Sequence, residues 1–203
     1  MKIMKCCGFF LAFIGFWLPT SIEASCLSGV EVEAKISAFL PSSKIIRRIY
    51  SDAIPYCELE IAKPFCNDWQ AWLGVGCLTS DGHAIGCKNK TSFHLIPVTL
   101  GLKYFFSINP CMDIYTGAGV CWSFFKNKDH SPYVHKNISD NALGGIFKLG
   151  CIYRIKENIF IDIFTGYLYQ HFSFKHHYKD HYTIRHNLNM SGFKVGGGLG
   201  FNF

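Results

Sequence analysis

The sequence predicts an all-β chain, an eight-stranded antiparallel up-and-down transmembrane β-barrel, on three observations. Eight segments alternate apolar and polar residues with period 2. The links between them alternate short and long. No apolar run is long enough for a membrane-spanning helix. In 203 residues, 49% hydrophobic and 16% aromatic, the longest runs past the N-terminus without Asp, Glu, Lys or Arg are 12 residues, at 69–80, 91–102, 114–125 and 163–174. A helical crossing needs about 20 apolar residues, so a polytopic helical protein is excluded. Only 17% of residues are charged, which with the aromatic load excludes disorder. Gly 19 and Phe 19 against Met 4 argue against a helical bundle, because Gly weakens helices and aromatics favour strands.

Lys2 and Lys5 precede an uncharged run from Cys6 to Ile22, rich in Phe and Leu, and Ala24 follows. This is the order of a secretory signal peptide, so residues 1–24 are expected to be removed and 25–203 to form the barrel domain. Eight cysteines remain: Cys26, Cys57, Cys66, Cys77, Cys87, Cys111, Cys121 and Cys151. None shows Cys-x-x-Cys spacing, which gives no reason to expect a metal or redox centre. Export makes disulfides possible, with packing or lipid contact as the plainer role.

The alternation runs as follows. Segment one sets Val30, Val32, Ala34, Ile36 and Ala38 against Glu31, Glu33, Lys35 and Ser37; segment two sets Cys57, Leu59 and Ile61 against Tyr56, Glu58 and Glu60. The third alternates Trp69, Ala71, Leu73, Val75 and Cys77 with Gln70, Trp72, Gly74 and Gly76. The fourth carries Ile96, Val98, Leu100, Leu102, Tyr104 and Phe106 opposite Thr99, Gly101 and Lys103. Ile114, Thr116, Ala118, Val120 and Trp122 face away from Asp113, Tyr115, Gly117 and Gly119 in the fifth. Leu143, Phe147, Leu149, Cys151 and Tyr153 oppose Gly144, Lys148 and Gly150 in the sixth. The seventh sets Ile159, Ile161, Ile163, Thr165, Tyr167 and Tyr169 against Asp162, Phe164 and Gly166, and the eighth sets Phe193, Val195, Leu199, Phe201 and Phe203 against Lys194, Gly196, Gly198 and Gly200.

Strands of about 10 residues in even number match a small membrane barrel. Residues 64–68, 107–111 and 154–158 read as short turns, and 41–54, 80–90, 126–141 and 174–187 as long polar loops on the opposite side. Aromatics near the strand ends (Trp69, Tyr104, Phe106, Trp122, Tyr153, Tyr167, Tyr169, Phe203) fit interfacial girdles. Ionised residues in mid-strand, Glu33, Lys35, Glu58, Glu60, Lys103, Asp113, Lys148, Asp162 and Lys194, are expected to meet in a hydrated lumen as a charge network. A soluble lipocalin-type barrel would have the inverse polarity.

The chain ends Leu199, Phe201, Phe203 on one face. A terminal Phe after alternating apolar residues resembles the assembly signal of bacterial outer-membrane proteins. With the leader and the eight segments, the chain resembles the small OmpA/OmpX-like outer-membrane barrels over nearly all of 25–203. That resemblance implies a monomer in the cell outer membrane, delivered by the barrel-assembly machinery. Pro41-Ser42-Ser43-Lys44, Asp129-His130-Ser131-Pro132-Tyr133 and Gly144-Gly145-Ile146-Phe147-Lys148 are similar to segments of barrels from chlamydia-like bacteria. This narrower likeness implies envelope proteins cross-linked by disulfides as partners.

The formal net charge is +6, and the long loops carry the excess. Lys44, Arg47, Arg48, Lys126, Lys128, Lys175, Lys179 and Arg185 are candidate contacts to anionic lipid, above all lipopolysaccharide phosphates. Ile45, Ile46 and Ile49 beside Arg47 and Arg48 suggest a helical turn lying in the membrane interface. His176, His177, His181 and His186 cluster in the last loop, where solvated histidines are expected rather than a metal site. Lipid A deacylases carry His-x-Ser-Asn; here His186-Asn187-Leu188-Asn189 with Ser191 departs from it. Ser80, Asp81 and His83 imitate an acyl-transfer trio without the surrounding motif. The glycines at 196, 197, 198 and 200 follow strand alternation, so no nucleotide cofactor is expected, and the dispersed basic residues do not point to nucleic acid. The expectation is a structural or surface-interaction protein without catalytic residues, cofactor or metal. The alternatives are a small gated channel and a lipid A hydrolase or transferase; a barrel this narrow does not suit a general diffusion pore.

Overall fold

A computed structural model describes residues 29–66, 68–83, 90–129, 137–177 and 183–203. The leader 1–24, Cys26, Cys87, Lys179 and His181 lie outside the described residues. Strands β1 (Glu31–Pro41), β2 (Ile54–Cys66), β3 (Trp69–His83), β4 (Lys90–Asn109), β5 (Met112–Asp129), β6 (Asn137–Lys156) and β7 (Ile159–Tyr169) are followed by β8 (His171–His177), β9 (Thr183–Asn189) and β10 (Gly192–Asn202). One short helix, α1 (Lys44–Ile49), follows β1. Eight strands close into an antiparallel barrel in the order β1, β10, β7, β6, β5, β4, β3, β2, and β8 and β9 form a separate hairpin. Every expected segment is a barrel strand, because alternation forces one face in and one face out.

Closure is set by β1 on β10, in register from Glu31 opposite Asn202 to Pro41 opposite Gly192. At its base the Gly29 N–H donates to the Phe203 carbonyl (2.7 Å) and the Phe203 N–H to the Val30 carbonyl (3.0 Å). Gly29 takes φ +79 to do so, a conformation that a residue with a Cβ avoids. The turn between β4 and β5 is tight because Asn109 Oδ1 accepts from the Cys111 N–H at 3.0 Å, a side chain standing in for a backbone turn bond.

The outward faces are apolar and open: Ile36, Leu100, Val120, Ile163, Val195 and Leu199 are all more than half exposed. Two aromatic tiers border this band. At the short-turn end Trp69 meets Tyr104 (5.0 Å between rings) and Tyr104 meets Phe106 (4.7 Å). At the other end Tyr167 packs on Phe193 (4.8 Å) and Trp122 on Phe124 (5.7 Å).

Three features depart from the sequence expectation. First, β4 and β6 have 20 residues and β5 has 18, not about 10. At ~3.3 Å per residue and a tilt of roughly 40°, 20 residues rise about 50 Å, twice an apolar band of about 25 Å. These strands consume much of the loops expected at 80–90 and 126–141, because a hairpin that has left the bilayer still satisfies its own ladder. Second, the last long loop contains the β8–β9 hairpin, paired from His171 opposite Asn189 to His177 opposite Thr183. Third, the amphipathic turn expected around Ile45, Ile46 and Ile49 is α1, and it turns Ile46 inward. Its apolar face turns onto the barrel mouth, with Ile46 2% exposed and packed in the same cluster as Phe39 and Ile54. Gly82 admits it: a Cβ there would stand 2.2 Å from the Ile49 carbonyl oxygen.

Candidate functional site: a buried ion-pair network between apolar layers

Inward positions of adjacent strands stack into three levels. At the long-loop end Phe39, Ile46, Ile54, Phe93, Leu95, Phe125, Phe172 and Met190 form an apolar cap. The Tyr50 ring lies edge-on to Phe93 at 4.6 Å, and Phe125 meets Phe172 at 5.2 Å. Phe172 reaches that position because the chain bends on either side of the β8–β9 hairpin. Ser191 Oγ accepts from the Gln170 N–H (3.0 Å), and the Met190 N–H donates to the Gln170 carbonyl (3.0 Å). At the short-turn end Tyr115, Ile152, Phe160 and Phe164 make the floor, with Phe105 against it.

Between cap and floor lie the charges. Lys35 Nζ stands 3.0 Å from Glu33, 3.3 Å from Glu60 and 3.1 Å from Asp162. Lys148 Nζ donates to Glu58 and to Glu60, each at 2.7 Å, and Lys194 Nζ donates to Glu58 at 3.0 Å. Lys103 Nζ donates to Glu60 Oε1. Tyr115 adds a hydroxyl bond to Asp162 at 2.8 Å. Four acidic and four basic side chains thus form one connected set whose formal charges balance. Each lysine also faces an aromatic ring: Lys194 over Tyr56 at 4.4 Å, Lys103 over Tyr115 at 4.8 Å, Lys35 over Phe164 at 5.0 Å and Lys148 over Trp72 at 5.1 Å. Such contacts favour a desolvated cation.

Space for these large side chains comes from inward glycines. A Cβ at Gly101 would lie 2.3 Å from Trp72, and one at Gly200 would lie 2.0 Å from Phe160. Trp72 is the register partner of Gly101, and Phe160 that of Gly200. Aromatics from one strand therefore lie across the bare backbone of the next.

The structure joins eight of the nine charged residues expected in the lumen. Asp113 stands apart, paired at 2.5 Å with Arg154, which is partly exposed at the short-turn rim. The network is also buried: no charged side chain in it exceeds 4% exposure. The cap residues Phe39, Phe93, Phe125 and Phe172 cause this. They lie at or beyond the ends of the expected segments, and the inward alternation continues through them.

Lys44, Arg47 and Arg48 share the solvent face of α1, opposite Ile46, and Lys126 is exposed on β5. Lys128 lies opposite Asn137 in the β5–β6 ladder and Lys175 opposite Arg185 in β8–β9. Leu199, Phe201 and Phe203 stand on the outer face of β10 and its end. The Ser80, Asp81, His83 trio is not assembled, since Asp81 lies one residue from Ser80 and hence on the opposite face of β3. Ser191 is buried and bonded to the Gln170 backbone. Among the described residues no group of three His, Cys, Asp or Glu forms a metal cluster.

No family model matches the chain. An outer-membrane protein of Sinorhizobium fredii, y4mB, is 30% identical over 112 residues, 54% of this chain; the chain spans about half (48%) of that relative's length. Among solved structures, OprG of Pseudomonas aeruginosa superposes with TM-score 0.65 at 16% identity, covering 87% of this chain and 96% of that one. Neisserial surface protein A gives 0.61 at 15%, covering 87% and 98%. Ail of Yersinia pestis, in complex with the heparin analogue sucrose octasulfate, gives 0.52 at 15%, covering 86% and 96%. These matches support the outer-membrane barrel fold and lend nothing to the narrower likeness to chlamydia-like bacteria.

Proposed function

We propose that this outer-membrane β-barrel protein is a closed envelope barrel that works through its outer surface, stabilising the membrane and gripping lipopolysaccharide phosphates. The filled interior carries the reading: cap, ion-pair layer and floor occupy the lumen from end to end, leaving chemistry to the outside. A filled lumen argues against the small gated channel, and the separated Ser80 and Asp81 remove one route to a lipid A hydrolase or transferase. The cationic face of α1, with Lys44, Arg47 and Arg48, supplies charge-assisted donors beside the long-loop edge of the apolar band. Lys126, exposed on β5, adds positive charge, and Lys128, Lys175, Lys179 and Arg185 are the further contacts that the sequence offers. The polyanion bound by Ail, which shares the fold, is a precedent for anions on such a surface. Leu199, Phe201 and Phe203 serve the barrel-assembly machinery during insertion.

Lipopolysaccharide binding to the purified barrel in nanodiscs tests this. Replacing Lys44, Arg47 and Arg48 together by Ala is expected to weaken binding about tenfold, or ~1.4 kcal/mol. Raising salt from about 0.05 to about 0.5 M should erode the wild-type affinity, as screening of exposed charges requires. Equal affinity of variant and wild type would overturn the phosphate-contact reading.

A further inference from the structure

Cys57 on β2 and Cys77 on β3 are register partners, directly opposite one another in the antiparallel ladder. Both are half-buried and lie among outward residues, with Leu59 opposite Val75 and Ile61 opposite Leu73 below them. Cys77 Sγ is 3.9 Å from Thr79 Oγ1 on the same outer face. Residues directly opposed in an antiparallel pair have Cα atoms about 5.5 or about 4.5 Å apart, according to whether or not they exchange ladder bonds. Both separations fall inside the roughly 4.4–6.8 Å span that a disulfide needs. The other described cysteines have no such opposite number: Cys66 faces Trp69, Cys121 faces Thr99 and Gly144, Cys151 faces Ile114 and Ile163, and Cys111 lies in the turn between β4 and β5.

We propose that Cys57 and Cys77 form a cross-strand disulfide that locks the register of the β2–β3 hairpin. The two Sγ–H groups lose two protons and two electrons, and one Sγ–Sγ bond forms. The electrons reduce the disulfide of a periplasmic thiol–disulfide oxidoreductase to a dithiol. The reaction belongs to the aqueous stage before insertion, where the compartment is oxidising. Its consequence is read from the same strands. Glu58 and Glu60 on β2 accept from Lys148, Lys194 and Lys103, and a slip of one residue would turn both acids towards lipid. A covalent tie at the next position holds them inward while the network is still unmade.

The test uses the full chain recovered from outer membranes. Cells are quenched in acid, and the denatured protein is alkylated with N-ethylmaleimide without reductant, then digested for mass spectrometry. The expected result is a peptide pair joined through Cys57 and Cys77, lighter than the two thiol peptides by two hydrogen atoms, with neither cysteine alkylated. Cys77→Ser should leave Cys57 alkylated, and a host lacking the periplasmic dithiol oxidase should leave both alkylated. Maleimide on both cysteines in wild-type cells, or Cys57 joined to a different cysteine, would overturn the disulfide. In pulse-chase, Cys57→Ala/Cys77→Ala is expected to reach the heat-modifiable form at least twofold more slowly than wild type. An unchanged rate would overturn the register-locking role while leaving the bond itself to the peptide map.

Discussion

Glu60→Gln should lower the unfolding free energy of the barrel by about 3–5 kcal/mol, the cost of leaving a buried charge without its partner. Glu60 sits among three lysines: 3.3 Å from Lys35, 2.7 Å from Lys148, and bonded to Lys103. An amide of the same shape keeps an acceptor oxygen but removes one formal negative charge from a buried layer that holds four lysines. Restoring the formal balance should restore most of the stability. Glu60→Gln combined with Lys103→Met removes one charge of each sign and keeps the chain that crosses Tyr115. Urea titration of the refolded protein in detergent measures both. A Glu60→Gln midpoint equal to wild type, or a double variant no better than the single, would contradict a desolvated network.

Ile163→Arg should cost about 2–4 kcal/mol, as a charge facing lipid near the bilayer midplane does. Ile163 is 68% exposed and lies mid-strand on β7. In a protein surrounded by water, such an exposed site would tolerate the change within about 0.5 kcal/mol. Ile45 supplies the internal comparison. It is 62% exposed on α1, past the end of β1 at Pro41, so Ile45→Arg should leave stability unchanged within about 0.5 kcal/mol. Similar exposure with opposite outcomes isolates the surroundings as the cause. Equal tolerance at the two sites would remove the membrane from the account.

The barrel was legible because period 2 is enforced wherever one face meets lipid and the other a narrow lumen. Ile36 and Lys35, or Ile163 and Asp162, cannot exchange faces without large cost, so the sequence records their alternation. The charged partners were legible as a set for the same reason. Asp113 was grouped with them on alternation alone, although its place just after the 107–111 turn, with Arg154 at the 154–158 turn, already set it at the short-turn rim. The burial of the network was hidden. Sealing needs Phe39, Phe93, Phe125 and Phe172 to converge from four separate strands, and no local pattern links residues so far apart in the chain. Residues 171–177 and 183–189 were hard to read as strands because His and Lys obscure their period, although Phe172 and Phe174 alternate. Ile45, Ile46 and Ile49 did announce an amphipathic turn. Their pattern gives an apolar face but not what it covers, and here it covers the barrel mouth. The glycine-on-aromatic pairs carried a signal in hindsight: Gly101 with Trp72 and Gly200 with Phe160 become visible once the register is known.

Planar-bilayer recording of the full chain purified from outer membranes reports whether the barrel is closed by its own side chains. Inserted, heat-modifiable protein is expected to give no reproducible current steps over a wide voltage range. Stepwise conductance that scales with protein added, and changes its ion selectivity in Glu60→Gln, would overturn the closed barrel.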